Sequence, residues 1–402
     1  MRGSIAVSAL LMISLAILPG CWSKKELNEL AVVMALGIDL DKDGYAVSAQ
    51  VLNSSVAGKP SGGSGGSLPV ITYRAVGRTI PDALQRMLNT TPRKLYLSHV
   101  RVLVFGEALA RAGVSDALDY LSRDHQLRSD FFMLVAKNSE ALHILEVISP
   151  FEQIPASSLY SSILVSHKNW AATGKITLQQ FIVELERGGS NPIMSGVELK
   201  GDPSDGGSVK NVQTIMPKSL IQHAGIAVFK NDRLVGWLGE DSSKTINYAL
   251  NEVDSTVGNI TLAEGGTAAF TVIQAVSGID INLNSEGEPE FILKLKVKAN
   301  LTAVQSTLDL SKPSSIDMIQ NKIEDQFNTL MTGNIKEVQK QYGSDIFGFG
   351  EALHRKHPKL WKKYRSAWDD RFKTAKVSVR SNVAILQVGS IIQPQRREVE
   401  KK

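Results

Sequence analysis

The chain has 402 residues, 43% of them apolar and 21% charged, with a formal net charge of +5 and a single cysteine. One thiol excludes a disulfide framework, so the folded part is held by its core alone. At ~100–200 residues per domain the length suits two or three domains, and beyond the N-terminus no apolar run approaches the ~20 residues that cross a bilayer.

The N-terminus carries an export signal. Arg2 precedes an uncharged, mostly apolar stretch at residues 5–18, which ends in Ile17-Leu-Pro-Gly-Cys21. This is a secretory signal whose cleavage site closes on cysteine, the arrangement of a bacterial lipobox. Pro19 replaces the usual small residue there. Cleavage before Cys21 and transfer of a diacylglyceryl group to its thiol are expected. Two acyl chains hold stably where one binds marginally, because each buried methylene adds ~0.8 kcal/mol. The expected product is anchored to a membrane without crossing it. Export argues against nucleic acid as a partner and for anionic headgroups or an acidic protein face.

In the first third, residues 31–38 and 45–52 read as a strand pair around an Asp43-Gly44 turn. Asp39, Asp41 and Asp43 match the start of a calcium loop, but Gln50 stands where that loop needs Glu, so a solvated turn is expected. Residues 58–67 are a flexible Gly/Ser-rich connection to a third strand at 69–75. Thr79, Pro81 and Asp82 open a helix as cap, early proline and dipole partner. Strands at 93–96, 100–105 and 129–136 and helices at 114–121 and 139–148 follow.

Residues 157–170 and 178–186 read as helices, and 194–199 as a short strand. A polar loop at 201–208 marks a domain boundary. Beyond it come a hairpin at 223–238 and a helix at 242–251. Strands at 259–262, 270–276, 278–284 and 291–301 precede a long helix at 314–342 and a last strand at 376–388. In residues 292–299 lysines alternate with apolar residues, a pattern that points them to solvent and blunts a sheet edge. The fold class is α+β, with mixed, mostly antiparallel sheets and packed helices. The expected division is a lipoprotein signal peptide at 1–20, an α+β domain at 21–150 and a helix-rich region at 151–208. A second α+β domain with the long helix occupies 209–393, and a charged tail 394–402.

Catalytic chemistry leaves no trace. Gly-x-Ser-x-Gly at 62–66 lies in the linker, not at a strand-to-helix elbow. Asp124-His125 has no motif around it and reads as a surface loop. His354 and His357 lack further ligands at a recognised spacing and join a basic face, so neither metal nor cofactor is expected. One segment stands out. Leu353, His357, Leu360, Trp361, Tyr364, Trp368 and Phe372 recur at helical spacing, with Lys359, Lys362, Lys363 and Arg365 between them. The aromatic stripe reads as core packing. The basic side reads as a membrane or partner contact.

Several stretches together resemble one family, the Ger(x)C lipoproteins, which are C subunits of spore germinant receptors. They are Cys21-Trp22, Lys24-Lys-Glu-Leu-Asn-Glu-Leu-Ala31, Gly37-Ile-Asp39, Pro92-Arg-Lys-Leu-Tyr96 and Ser98-His-Val-Arg-Val-Leu-Val104. Residues 128–137, Phe151-Glu-Gln-Ile-Pro155, Phe347-Gly-Phe-Gly-Glu351, His354-Arg-Lys-His-Pro358 and residues 361–368 complete the set. The resemblance implies three mixed α/β domains and no enzymatic activity. It implies attachment through Cys21 to the outer face of the spore inner membrane, beside integral membrane A and B subunits that receive small nutrients. The alternative is a solute-binding lipoprotein of an uptake transporter, against which the antiparallel-looking hairpins argue.

Overall fold

The computed structural model describes residue 3 and residues 29–53, 68–152, 154–262, 266–306 and 308–389. Cys21, all of the signal segment but Gly3, the Gly/Ser-rich loop at 58–67 and the charged tail lie outside the described residues.

β1 (Leu30–Asp41) and β2 (Gly44–Leu52) form the expected hairpin, closed where Asp41 faces Gly44. Gly44 has φ +140, and a Cβ there would lie 2.4 Å from the Gly77 carbonyl, so only glycine fits. β3 (Val70–Gly77) pairs antiparallel with β2. α1 (Ile80–Arg86) starts as its sequence dictates. The Asp82 N–H donates to Thr79 Oγ1 at 3.2 Å, and Ile80, Ala83 and Leu84 are buried. The chain continues through β4 (Lys94–Tyr96), β5 (Val102–Gly106), α2 (Glu107–Ala112), α3 (Ser115–Arg123), β6 (Phe132–Ala136) and α4 (Ala141–Leu145). Then follow α5 (Pro155–Trp170), α6 (Leu178–Arg187) and β7 (Ile193–Lys200).

After β7 come the short helices α7 (Pro203–Gly206) and α8 (Val209–Val212) and the hairpin of β8 (Leu220–Lys230) and β9 (Arg233–Leu238). These strands complete one large sheet in the order β3-β2-β1-β5-β6-β7-β8-β9, with β4 beside β1. β1, β5, β6 and β7 run parallel. β5 and β6 are buried along their whole length, as parallel strands covered on both faces must be. Leu109, Leu118 and Phe181 from α2, α3 and α6 pack on one face, where Phe105 and Met133 lie. Ile144 and Leu159 from α4 and α5 pack on the other, over Val104 and Leu134. The polar loop at 201–208 joins β7 to β8, its antiparallel neighbour in the same sheet. It packs down through the Ile148 N–H, which donates to the Gly206 carbonyl at 3.0 Å. The chain changes sheet only after Leu238.

α9 (Glu240–Ala249) leads to a second sheet ordered β10 (Thr256–Thr261), β11 (Thr267–Leu283), β12 (Pro289–Gln305), β13 (Lys376–Gln387). The two strands read at 270–276 and 278–284 are one strand, β11, bent by an irregularity between Val272 and Gln274. β12 and β13 are parallel, so the whole crossover between them is helical: α10 (Pro313–Gln341), α11 (Phe349–Lys356), α12 (Pro358–Tyr364) and α13 (Trp368–Thr374). α10 packs Ile319, Ile323 and Ile335 into the core that contains Leu293, Leu295 and Val297 of β12. It also seals the outer edge of β13. Asn328 Oδ1 accepts from the Ser381 N–H at 2.8 Å, Glu324 Oε1 from Val383 at 2.7 Å and Gln320 Oε1 from Ile385 at 2.9 Å. The edge is therefore closed by helix side chains. The lysines of β12 do not serve that purpose, because β12 is an interior strand. The protein is mixed α+β, and antiparallel pairings outnumber parallel ones among the named strands.

Candidate functional site

The basic segment rests on a built foundation. Asp345 is wholly buried just before α11. Its Oδ1 accepts from the N–H groups of Phe347 (3.2 Å), Gly348 (3.0 Å) and Phe349 (3.2 Å). Its Oδ2 accepts from the Gly350 N–H at 2.8 Å and from Trp368 Nε1 at 3.0 Å. The first N–H groups of a helix have no partner within it, so a carboxylate there meets an obligatory need. Burial pushes the carboxyl up to about 6, against five donors that each favour the ionised form.

The two glycines are required by contact and by dihedral. Gly348 has φ +80. A Cβ on Gly350 would lie 2.5 Å from both the Gly189 carbonyl and Trp368 Nε1. Around this turn the aromatic stripe packs inward. Phe291 lies 5.3 Å from Phe349 and 5.9 Å from Trp368, and Trp361 lies 5.6 Å from Trp368, ring centre to ring centre. Tyr364 is buried, and its hydroxyl donates to Glu288 Oε1 at 2.9 Å. The stripe is core, as its spacing predicts.

With Trp361 and Tyr364 turned inward, the cations of the same helix turn outward. Lys359, Lys362, Lys363 and the following Arg365 are all exposed. Lys359, Lys362 and Arg365 have no acidic partner among the described residues. Lys363 lies 5.1 Å over the Tyr364 ring. His354 is exposed, with its ring 5.7 Å from Trp361.

This face is held firmly against the large sheet. The Asn191 N–H donates to the Asp345 carbonyl at 2.7 Å, Ser344 Oγ to the Phe229 carbonyl at 2.6 Å and Tyr342 OH to the Trp237 carbonyl at 2.9 Å. Arg187 reaches Glu351 at 3.2 Å and Lys230 reaches Asp369 at 3.2 Å. Asp345 escaped the sequence reading. Its signal was the pair of glycines a few residues after it, which let successive N–H groups converge on one carboxylate.

Two other features were open from sequence. Asp124 accepts from the Tyr120 hydroxyl at 2.7 Å and the Gln126 N–H at 2.8 Å, which closes the turn after α3, while His125 is exposed. A cavity of about 390 Å³ lies between α6, α9 and α11. Of its charged lining, Arg187 is engaged by Glu184 and Glu351, and Glu252 by His167. Among the described residues no helix is long and apolar enough to cross a membrane.

Known proteins match the chain over most of its length. Residues 23–199 match the family model described as the spore germination protein N-terminal domain. Residues 224–389 match the model described as spore germination B3/GerAC like, C-terminal. Spore germination protein KC of Bacillus subtilis (strain 168) is 29% identical over 374 residues, covering 91% of each chain. Spore germination protein B3 of the same organism is 24% identical over 92% of this chain and 95% of its own. The crystal structure of the GerBC protein shares the fold, with TM-score 0.56 and 19% identity over 87% of this chain and 96% of that one. The chain belongs to the GerAC family of spore germination proteins.

Proposed function

We propose that the chain is a lipid-anchored subunit of a spore nutrient receptor that works through contacts and not through catalysis. Cys21 carries the anchor, on the outer face of the spore inner membrane. Integral membrane A and B subunits are its partners. The observation that carries this reading is the outward row of Lys359, Lys362, Lys363 and Arg365, set on a rigid aromatic base and braced against the large sheet. Such a base holds cations in fixed positions, which suits recognition of an acidic protein face.

The test is a strain lacking this gene, complemented with wild type or with all four cations changed to Gln, scored for nutrient-triggered germination of purified spores. The variant is expected to accumulate and yet respond poorly. Full response would overturn the contact role of this row. A second reading, solute binding, draws support from the 390 Å³ cavity, a size that suits a small ligand. Calorimetric titration of the full chain with nutrient amino acids and sugars separates the two, since heat of binding at micromolar affinity belongs to the second alone.

A further inference from the structure

The lysines of β12 occupy a place that edge protection does not explain. Strand β12 has β11 on one side and β13 on the other. Lys294, Lys296 and Lys298 alternate with the buried Leu293, Leu295 and Val297, and so stand on the sheet face opposite α10. Arg380 of β13 is in register with Lys294. Lysine is disfavoured in strands, and like charges directly opposite one another destabilise a sheet. A chain selected for stability alone would not keep this arrangement.

Among the described residues one carboxylate relieves it. Asp280 of β11 binds Lys294 and, at 2.7 Å, Lys356 of α11. That hub makes the sheet face continuous with the basic side of the C-terminal helices. Lys296, Lys298 and Arg380 have no acidic partner among the described residues. Beside Lys296, Val276 is 51% exposed. Nothing lies within 4 Å of the place a Cβ would take on Gly278, next to Lys294. The face is cationic and open.

We infer that this face docks on anionic lipid headgroups and lays the small sheet against the membrane. The inference rests on the anchoring proposed for Cys21. Ammonium groups two strand residues apart, ~7 Å, on flexible stems suit headgroups that drift laterally to meet them. Val276 adds an apolar contact at the depth where headgroups meet acyl chains. Each cation near an anionic leaflet is worth about fivefold in binding. Three unpaired cations are therefore enough to set an orientation on a protein already held at the surface.

Cys21 is the only cysteine in the chain, so an introduced thiol is the only free one once Cys21 is acylated. The full-length chain with Val276→Cys, labelled with a polarity-sensitive fluorophore, is placed in vesicles of phosphatidylcholine with about one third phosphatidylglycerol. A label at Asn321→Cys, exposed on α10 beyond the opposite face, is the control. The label at 276 is expected to shift to the blue and to be quenched by headgroup spin labels several-fold more than the label at 321. That difference should vanish in pure phosphatidylcholine, and in the triple variant Lys296→Gln, Lys298→Gln, Arg380→Gln, whose melting temperature should be no lower than wild type. Equal quenching at both positions, or quenching indifferent to lipid charge, overturns the inference. A chain that leaves the vesicle fraction refutes the Cys21 anchor instead. The docking is then read from the same label with anionic vesicles added, and absence of charge-dependent quenching overturns it.

Discussion

Asp345 and Trp368 are joined by a 3.0 Å hydrogen bond across 23 residues of chain, and neither side chain reaches solvent to any useful degree. The bond ties the turn before α11 to the first residue of α13. It fixes the angle at which α12, between them, presents its cations.

Asp345→Asn is expected to destabilise the chain by about 2–4 kcal/mol. An amide cannot accept from five donors, and a buried N–H left unmade is costly. Urea unfolding with an unchanged m-value reads the loss, and near-ultraviolet circular dichroism reads the freed Trp368. A midpoint equal to wild type would mean that the carboxylate is dispensable. The pH dependence has a definite sign. The folded value, about 6, lies above the ordinary 3.8, so the folded chain holds this proton more tightly. Its contribution to stability falls as pH rises from about 4 to about 6 and is flat above that. The Asn variant should lack this slope.

Gly350 and Gly278 should respond oppositely to alanine. At Gly350 the new methyl would meet the Gly189 carbonyl and Trp368 at 2.5 Å, which forces the backbone apart at a cost of about 1–3 kcal/mol. At Gly278 it would meet nothing, and Gly→Ala in a strand should gain about 0.5–1 kcal/mol. Denaturant midpoints of the two variants check the pair. Two shifts of the same sign would contradict the packing described.

His167 gives a second pH window. Its Nε2 lies 3.4 Å from Glu252 Oε2, and its Nδ1 is 2.9 Å from the Thr173 carbonyl. The bond to Glu252 raises the histidine and lowers the glutamate. The histidine's contribution is full below its ordinary ~6.5 and is lost as pH rises through its raised folded value. The glutamate's is full above its ordinary ~4.3 and is lost as pH falls through its lowered one. The pair is therefore strongest between those two ordinary values. Glu252 is 44% exposed, so the gain is small, under ~1 kcal/mol. Melting temperatures from pH 5 to pH 8 should fall more in wild type than in Glu252→Gln, and parallel curves would remove the pair from the account.

Cys21→Ala is expected to release the protein from the membrane fraction and to lower the nutrient response. Retention with the membranes, measured by fractionation of germination-competent spores, would end the anchoring proposal.

Local signals were legible where one short segment settles its own conformation. The Thr79 cap and the inward side chains from Leu353 to Phe372 stand where their sequence puts them, whereas the corner read at Asp43-Gly44 is made by Lys42-Asp43, with Gly44 already the first residue of β2. Pairings between distant segments were not. Lys296 looks the same in sequence on an edge strand or a central one, and only the parallel return of β13 decides between them. The loop at 201–208 reads as a linker because Gly, Pro, Ser and Asp fill it, yet the same residues make a compact connection within one sheet. Asp345 was hard to see because four of its five partners are backbone N–H groups, which every residue but proline possesses.

The three side chains along α10 that hold β13 work by a match of pitch. Four helical residues rise ~6 Å, and two strand residues span ~6.6 Å. Gln320, Glu324 and Asn328 can therefore meet every second N–H of a strand running the other way. The ladder leaves those N–H groups of β13 no vacancy for a foreign strand. Copies of the chain crowded side by side cannot zip together along this border, and growth of an extended sheet from it is stopped by three polar side chains.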